Sequence, residues 1–159
     1  MRRRHLLLLF AAVPVLARAE EAEPLKAQPE LPKEKLAIVT RDGVHHDFNV
    51  EMAITPRQQQ VGEMFRTSVA SDGGMLFDWG LPRPSPMWMK NTLVPLDMVF
   101  INADGSIRAI AENTVPESLA TIDSHGPVRA ALELAGGTTA RLNIVVGDKV
   151  LQRIFANAP

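Results

Sequence analysis

Short apolar runs broken by turn residues dominate the chain after its first thirty-odd positions. Leu36 to Arg41 and Val44 to Met52 flank Asp42-Gly43. Asp-Gly between two β-type runs predicts a hairpin, because a type I′ turn needs positive φ at both central positions. Thr55-Pro56 predicts a helix start, with threonine as N-cap and proline at the first helical position. That helix is expected over Arg57 to Phe65, with Gly62 as an internal weak point. Further strands are expected at Met75 to Trp79, Met87 to Asn91, Leu96 to Asn102 and Ser106 to Asn113, the last two joined by Asp104-Gly105. The three prolines between Gly80 and Pro86 predict an extended loop. Val128 to Ala135 reads as a short helix stopped by Gly136-Gly137. Arg141 to Val146 and Lys149 to Ile154 read as two last strands around Gly147-Asp148. The fold class expected is mainly β (α+β): an antiparallel, curved sheet or open barrel-like roll with two short helices.

The first 34 residues follow another pattern. Met1-Arg2-Arg3-Arg4-His5 is basic, and Leu6 to Leu16 is apolar apart from Pro14. Ala17-Arg18-Ala19 then places small residues for cleavage before Glu20. This is the build of a secretory signal peptide. The apolar run is too short for a stable span, which needs about 20 residues. Arg3-Arg4 also loosely fits a twin-arginine signal, while the strongly apolar stretch favours the general secretory route. Residues 20–34, rich in Glu, Pro, Lys and Ala, are expected to form a disordered linker. One domain is expected over residues 35–156, a usual domain length. The expected location is the periplasm or outside the cell, with no stable membrane span once the leader is removed.

Composition narrows the chemistry. The 159 residues include no cysteine, which excludes disulfides, thiolate metal sites and cysteine nucleophiles. The net charge of −1 includes four leader arginines, so the chain from Glu20 carries −5. A mildly acidic chain argues against nucleic acid as the main partner.

Trp88-Met89-Lys90-Asn91-Thr92 with Asp97 is the densest polar and aromatic cluster. On a strand, Trp88, Lys90 and Thr92 share one face, and Met89 and Asn91 the other. Asp97 sits in the apolar run Leu96 to Phe100 and needs partners if buried; Lys90, Arg66 and Asn91 are the available donors. Asp97 and Asn91 serve either as supports for the proline-rich loop or as part of a pocket, walled by Trp88, for a small polar ligand. The ligand-binding candidates are therefore Arg66, Trp88, Lys90, Asn91, Thr92 and Asp97. A hydrolase using Asp97 with Lys90 is an alternative. So is a Cu(I) site on Met87 and Met89, since thioethers suit that ion, although methionines equally fill cores. His45, His46 and His125 are poorly spaced for a metal, and no metal or cofactor is expected. Asp123-Ser124-His125 holds the residue types of a hydrolase triad but in adjacent positions, which rarely assemble one. No G-x-S-x-G, phosphate-binding loop or H-E-x-x-H is present. The expected activity is non-catalytic: binding a small polar ligand or an envelope protein.

Gly73-Gly74-Met75-Leu76-Phe77, Trp88 to Thr92, Pro95 to Phe100, Asp104-Gly105, Pro116-Glu117-Ser118, Leu132-Glu133-Leu134 with Gly136, and Gly147-Asp148 occur in that order. In these motifs the chain resembles the bacterial and archaeal family catalogued as domain of unknown function 192, over about Val50 to Val150. The resemblance implies one β-rich domain, often exported, and no known reaction. Two departures stand out. Gly62-Glu63-Met64 replaces the family's usual Gly-Leu-Met, which predicts a more exposed helix face there. Met87 replaces its usual aromatic residue.

Overall fold

The computed structural model describes residues 22–158. The leader and its cleavage point lie outside the described residues. Seven strands form one mixed sheet: β1 (Lys33–Val39), β2 (His45–Ala53), β3 (Met75–Pro84), β4 (Leu96–Ile101), β5 (Ile107–Ala111), β6 (Pro127–Ala135) and β7 (Lys149–Leu151). Their order across the sheet is β5-β4-β6-β3-β2-β1-β7. All neighbours run antiparallel except β2 and β3, which pair parallel. The expected antiparallel sheet is thus corrected at one seam. The chain leaves β2 through helix α1 (Pro56–Val61) and re-enters β3 in the same direction. The sheet curls until its edge segments meet: Ile107 N donates to Asp148 O at 2.8 Å, and Val150 N to Gly105 O at 2.8 Å.

Strand alternation gives the sheet two apolar faces. Inside the roll, Leu36, Ile38, Val50, Leu76, Val99, Ile101, Leu132 and Leu134 pack together. On the outer face, Ala53, Met75, Phe77, Met98, Phe100 and Ala131 form a second cluster, with Met89 packed over them.

Several local readings hold. Thr55 caps α1 and accepts from Gln58 N, and the Gln58 side chain completes the capping box. Asp42-Gly43 turns β1 into β2, with Gly43 at φ +83°. Other readings do not. Val128 to Ala135, read as a helix, lies in β6 between β3 and β4. Its Ala, Leu and Glu favour a helix, but two strands claim its backbone bonds and both its faces are covered, so context overrides propensity. Arg141 to Val146, read as a strand, begins inside helix α2 (Thr138–Leu142). Met87 to Asn91 makes only an isolated bridge, Met87 to Ile122, and then turns at Asn91 with φ +56°. The expected α1 is cut short at Gly62, whose φ of +50° ends it.

The stretch read as a disordered linker is partly ordered on the domain. Lys33 and Glu34 open β1. Leu31 N donates to Glu51 Oε2 at 2.7 Å, and Gln28 Nε2 donates to the carbonyls of Gln58 and Gly62 at 3.1 and 2.9 Å. Both carbonyls lie at the end of α1: Gln58 O also accepts from Gly62 N at 2.9 Å, and Gly62 O lies past the last helical residue, where acceptors lack internal partners. No helix among the described residues is long and apolar enough to cross a membrane.

Candidate functional site

Strand register sets a polar row into the outer face. Glu51 of β2 lies opposite Met75 of β3, Met75 opposite Glu133 of β6, and Glu133 opposite Met98 of β4. Two carboxylates are therefore fixed on an otherwise apolar surface, one strand apart from Met75 on either side. The turn after α1 lays Glu63 and Arg66 over them. Phe65 N donates to Asn91 O at 2.8 Å, which ties this turn to the 86–92 segment.

Three carboxylates thus share one cation. Arg66 grips both oxygens of Glu51, with Nη2 to Oε2 at 2.8 Å. Burial pushes the Glu51 carboxyl up, but Arg66 and the Leu31 amide outweigh it and hold it below the usual range. Arg66 Nε lies 3.1 Å from Glu63 Oε2, but the N–H points elsewhere and neither atom has a hydrogen-bond partner. Burial raises the Glu63 carboxyl to about 7, against the pull of Arg66 and with a further push from Glu51. Burial raises Glu133 well above the ordinary value, and Glu63 adds to the shift. Glu133 Oε2 is also unpartnered.

A cleft of about 570 Å³ opens beside Glu63 and Glu133, between α1, β3 and the 86–92 segment. Such a volume is typical of small-molecule sites. Trp79, Trp88, Phe77 and Met87 supply its apolar wall, and Gln59, Arg83 and Thr92 its polar edge. Gln59 Nε2 fastens α1 to the sheet through the carbonyls of Ala53 and Asp78, at 3.1 and 2.8 Å. The Trp79 and Phe77 rings lie 5.6 Å apart, and Arg83 stacks on Trp79 at 4.4 Å. Trp79 Nε1 is buried and has no partner.

The structure brings together only part of the predicted set. Trp88 and Thr92 line the cleft, and Trp88 is 48% exposed. Lys90 sits 5.1 Å from the Trp88 ring and pairs with Glu23 at 2.8 Å. Arg66 lies behind the cleft with Glu51. Asn91 supports the turn after α1 through its carbonyl and places its amide 3.9 Å from Met64 Sδ. Asp97 is elsewhere, fully buried, and accepts from the amides of Asn113, Gly137 and Thr139 and from the Thr139 hydroxyl, all within 2.9 Å. Neither Lys90, Arg66 nor Asn91 is its partner, and an Asp97–Lys90 hydrolase pair is not assembled. Met89 is buried, with Thr114 Oγ1 3.0 Å from its sulfur, while Met87 faces the cleft. Asp123-Ser124-His125 forms a turn: Ser124 Oγ accepts from Ser85 N and donates to Gly126 O. Among the described residues, no three His, Asp or Glu side chains are placed to hold a metal.

Sequence reasoning missed Glu133, Glu51 and Trp79. The available signal was a lone carboxylate inside an apolar run, at Ala131-Leu-Glu-Leu-Ala135 and Phe48-Asn-Val-Glu-Met52. A helical reading of Val128 to Ala135 turned the first outward. Glu63 was noticed, but the exposed face expected there is corrected: it is 2% exposed, because Gly62 folds it back over the sheet.

The comparisons agree with this architecture. The family described as "Uncharacterized ACR", domain of unknown function 192, matches residues 37–152. A protein from Sinorhizobium meliloti 1021, described as a "putative transcription regulator", is 48% identical over 80% of this chain and 99% of its own, with a TM-score of 0.77. A protein of unknown function from Novosphingobium aromaticivorans DSM 12444 is 38% identical over 84% of this chain and 96% of its own, with a TM-score of 0.75. No curated protein matches.

Proposed function

The chain belongs to the domain of unknown function 192 family, and from that premise we propose that it is an exported, non-catalytic domain that binds a small polar ligand in the cleft between α1, β3 and the 86–92 segment. One observation carries this reading. Glu63 Oε2, Glu133 Oε2 and Trp79 Nε1 are buried, lack hydrogen-bond partners and belong to residues lining the same aromatic-walled cleft, although Glu63 Oε2 keeps an ion-pair contact with Arg66 Nε at 3.1 Å. A buried polar group left unpaired costs about 1–3 kcal/mol, and natural proteins hold few of them outside sites that a ligand or water completes. Export is supported by the leader pattern of residues 1–19. The acidic balance of the chain from Glu20 weighs against extending to it the regulator description of the Sinorhizobium protein.

A second reading has its own support. A carboxyl raised to about 7 by burial, as in Glu63, holds a proton poised for general acid catalysis near neutral pH. It would replace Asp97 and Lys90 as the acid–base machinery.

The test uses the fact that the chain has two tryptophans and no tyrosine, both tryptophans lining the cleft. A chemically mixed fragment set, covering amines, carboxylates, polyols and heterocycles, is titrated against labelled protein while the two indole N–H resonances are followed. Saturable shifts of these resonances that are absent in Trp88→Ala support the binding cleft. Hits that leave both indoles unmoved refute it. Turnover of any hit, abolished by Glu63→Gln, would favour the catalytic reading.

A further inference from the structure

The turn after α1 covers the carboxylate row without joining the sheet. A Cβ on Gly62 would stand 3.0 Å from Phe77 Cζ and 3.6 Å from Glu133 Oε2, so the turn's backbone rests directly on that ring and that carboxyl. Glu63 Oε2 and Glu133 Oε2 are shut off from solvent here and lack hydrogen-bond partners. This is a closed arrangement: neither oxygen meets solvent or a ligand until the turn moves.

The turn has two natural hinges. Gly62 has φ +50° and Phe65 φ +62°. A bulky residue in the left-handed region is uncommon and strained. Beyond Phe65, Arg66 anchors the chain by gripping both oxygens of Glu51. Between the hinges, Phe65 N donates to Asn91 O at 2.8 Å. From outside, Gln28 Nε2 donates to Gly62 O at 2.9 Å and to Gln58 O at 3.1 Å. Residues 22–31 thus form a strap against the first hinge. Leu31 N ties one end of it to Glu51 Oε2 at 2.7 Å, and Glu23 ties the other to Lys90 at 2.8 Å.

Resting on the binding cleft proposed above, we infer that residues 62–65 are a gate on that cleft, hinged at Gly62 and Phe65 and latched by the 22–31 strap through Gln28. Opening lifts Glu63 off Glu133 and lets solvent reach both carboxyls, while Arg66 stays on Glu51 and guides the turn back. Charge drives the movement. Glu63 faces Glu133 from β6, Glu51 from β2 and Arg66 from its own turn. Glu30 of the strap and Lys33 of β1 act on the Glu51–Arg66 pair, and Arg83 of β3 stands at the cleft's edge. Burial raises the Glu63 carboxyl to about 7 and Glu133 well above its ordinary value. The closed turn therefore holds protons that the open one releases, and rising pH favours opening.

Amide hydrogen exchange on the labelled protein tests this without any ligand. Protection of the Phe65 amide is compared with that of Leu132, at the centre of the sheet, at pH 6 and pH 8, corrected for the intrinsic pH dependence of exchange. Phe65 is expected to exchange through a local opening, with protection about a hundredfold or more below that of Leu132. Its protection should fall about tenfold from pH 6 to pH 8, the size set by a carboxyl moved from 4.5 to about 7, and Glu63→Gln should flatten that fall. Gln28→Ala removes the latch and should lower Phe65 protection about threefold or more at both pH values, with the Gly105 amide in the β4–β5 turn unmoved. Phe65 protected as strongly as Leu132 would overturn the gate. So would unchanged Phe65 protection in Gln28→Ala, or no fall between the two pH values in the unmodified protein. Each of those results leaves the cleft to be judged by the fragment titration, whereas a failed titration beside the expected exchange would refute the cleft and leave the moving turn standing.

Discussion

Asp97 and Glu133 lie on opposite faces of the sheet, one step apart in register. Asp97 stands opposite Leu134, whereas Glu133 stands opposite Met98. Both carboxyls are buried, yet their states diverge. Asp97 points toward the inner face and collects four hydrogen bonds. Glu133, on the outer face, keeps an oxygen without a partner at the edge of a cleft. The first is structural; under the proposed binding function, the second is where a ligand would restore what burial removed.

Replacing Asp97 should damage the fold. Alanine strands three backbone amides, at about 1–3 kcal/mol for each buried group left unpaired. Urea melts of Asp97→Ala are expected to show a loss of several kcal/mol. Asp97→Asn should lose less but still clearly, since its NH₂ faces donors where an acceptor is needed. A loss under about 0.5 kcal/mol in both, the size for uninvolved surface positions, would refute this role. Burial raises the Asp97 pKa, but the amide bonds outweigh it and set it below 3.8. Its stabilising contribution is therefore complete above the unfolded value and lost as pH falls through the folded one.

Glu63 and Glu133 act with the opposite sign. Both have folded pKa values raised above 4.5, so the unfolded chain releases protons that the folded one keeps. Their contribution to stability declines as pH rises from about 4.5 toward and beyond 7. For Glu63 alone, a rise from 4.5 to about 7 corresponds to roughly 3 kcal/mol across that window. Glu63→Gln and Glu133→Gln should each stabilise the protein at pH 8 relative to pH 5 and flatten the profile. Thermal melts at those two pH values check this; a parallel profile in both variants would contradict it.

Gly62→Ala probes the turn that carries Glu63. A Cβ there would stand 3.0 Å from Phe77 Cζ and 3.6 Å from Glu133 Oε2, on a backbone at φ +50°. Strained backbone of this kind costs on the order of 1–3 kcal/mol. The variant is expected to melt lower by that amount, with the Trp79 indole resonance displaced because Phe77 packs on it. Unchanged stability would mean the turn is not constrained as described.

Export is tested at the N-terminus. Ala17-Arg18-Ala19 predicts mature protein beginning at Glu20. N-terminal sequencing of protein from the cell-envelope fraction should return Glu20-Glu21-Ala22. An intact Met1 on membrane-bound protein would overturn the expectation.

Local chemistry was legible wherever neighbours in sequence settle the structure. The Asp42-Gly43 and Asp104-Gly105 hairpins, the Thr55-Pro56 helix start and the β-rich class all follow from turn dihedrals, capping bonds and run length. Trp88 and Thr92 were also singled out, because an aromatic beside polar residues stands out in any conformation, and both line the cleft. Where competing structures share one local pattern, only tertiary contacts decided. Val128 to Ala135 became a central strand because β3 and β4 bind its two edges. The parallel β2–β3 seam depends on where α1 returns the chain. The candidate site itself depends on register: Glu51 and Glu133 are 82 positions apart in sequence and flank Met75 only because three strands align. A side chain's residue type is local, but its partners, burial and proton affinity are properties of the surrounding fold. The sequence therefore determined the parts and several of their joints, and the sheet alone decided which carboxylates face a cleft.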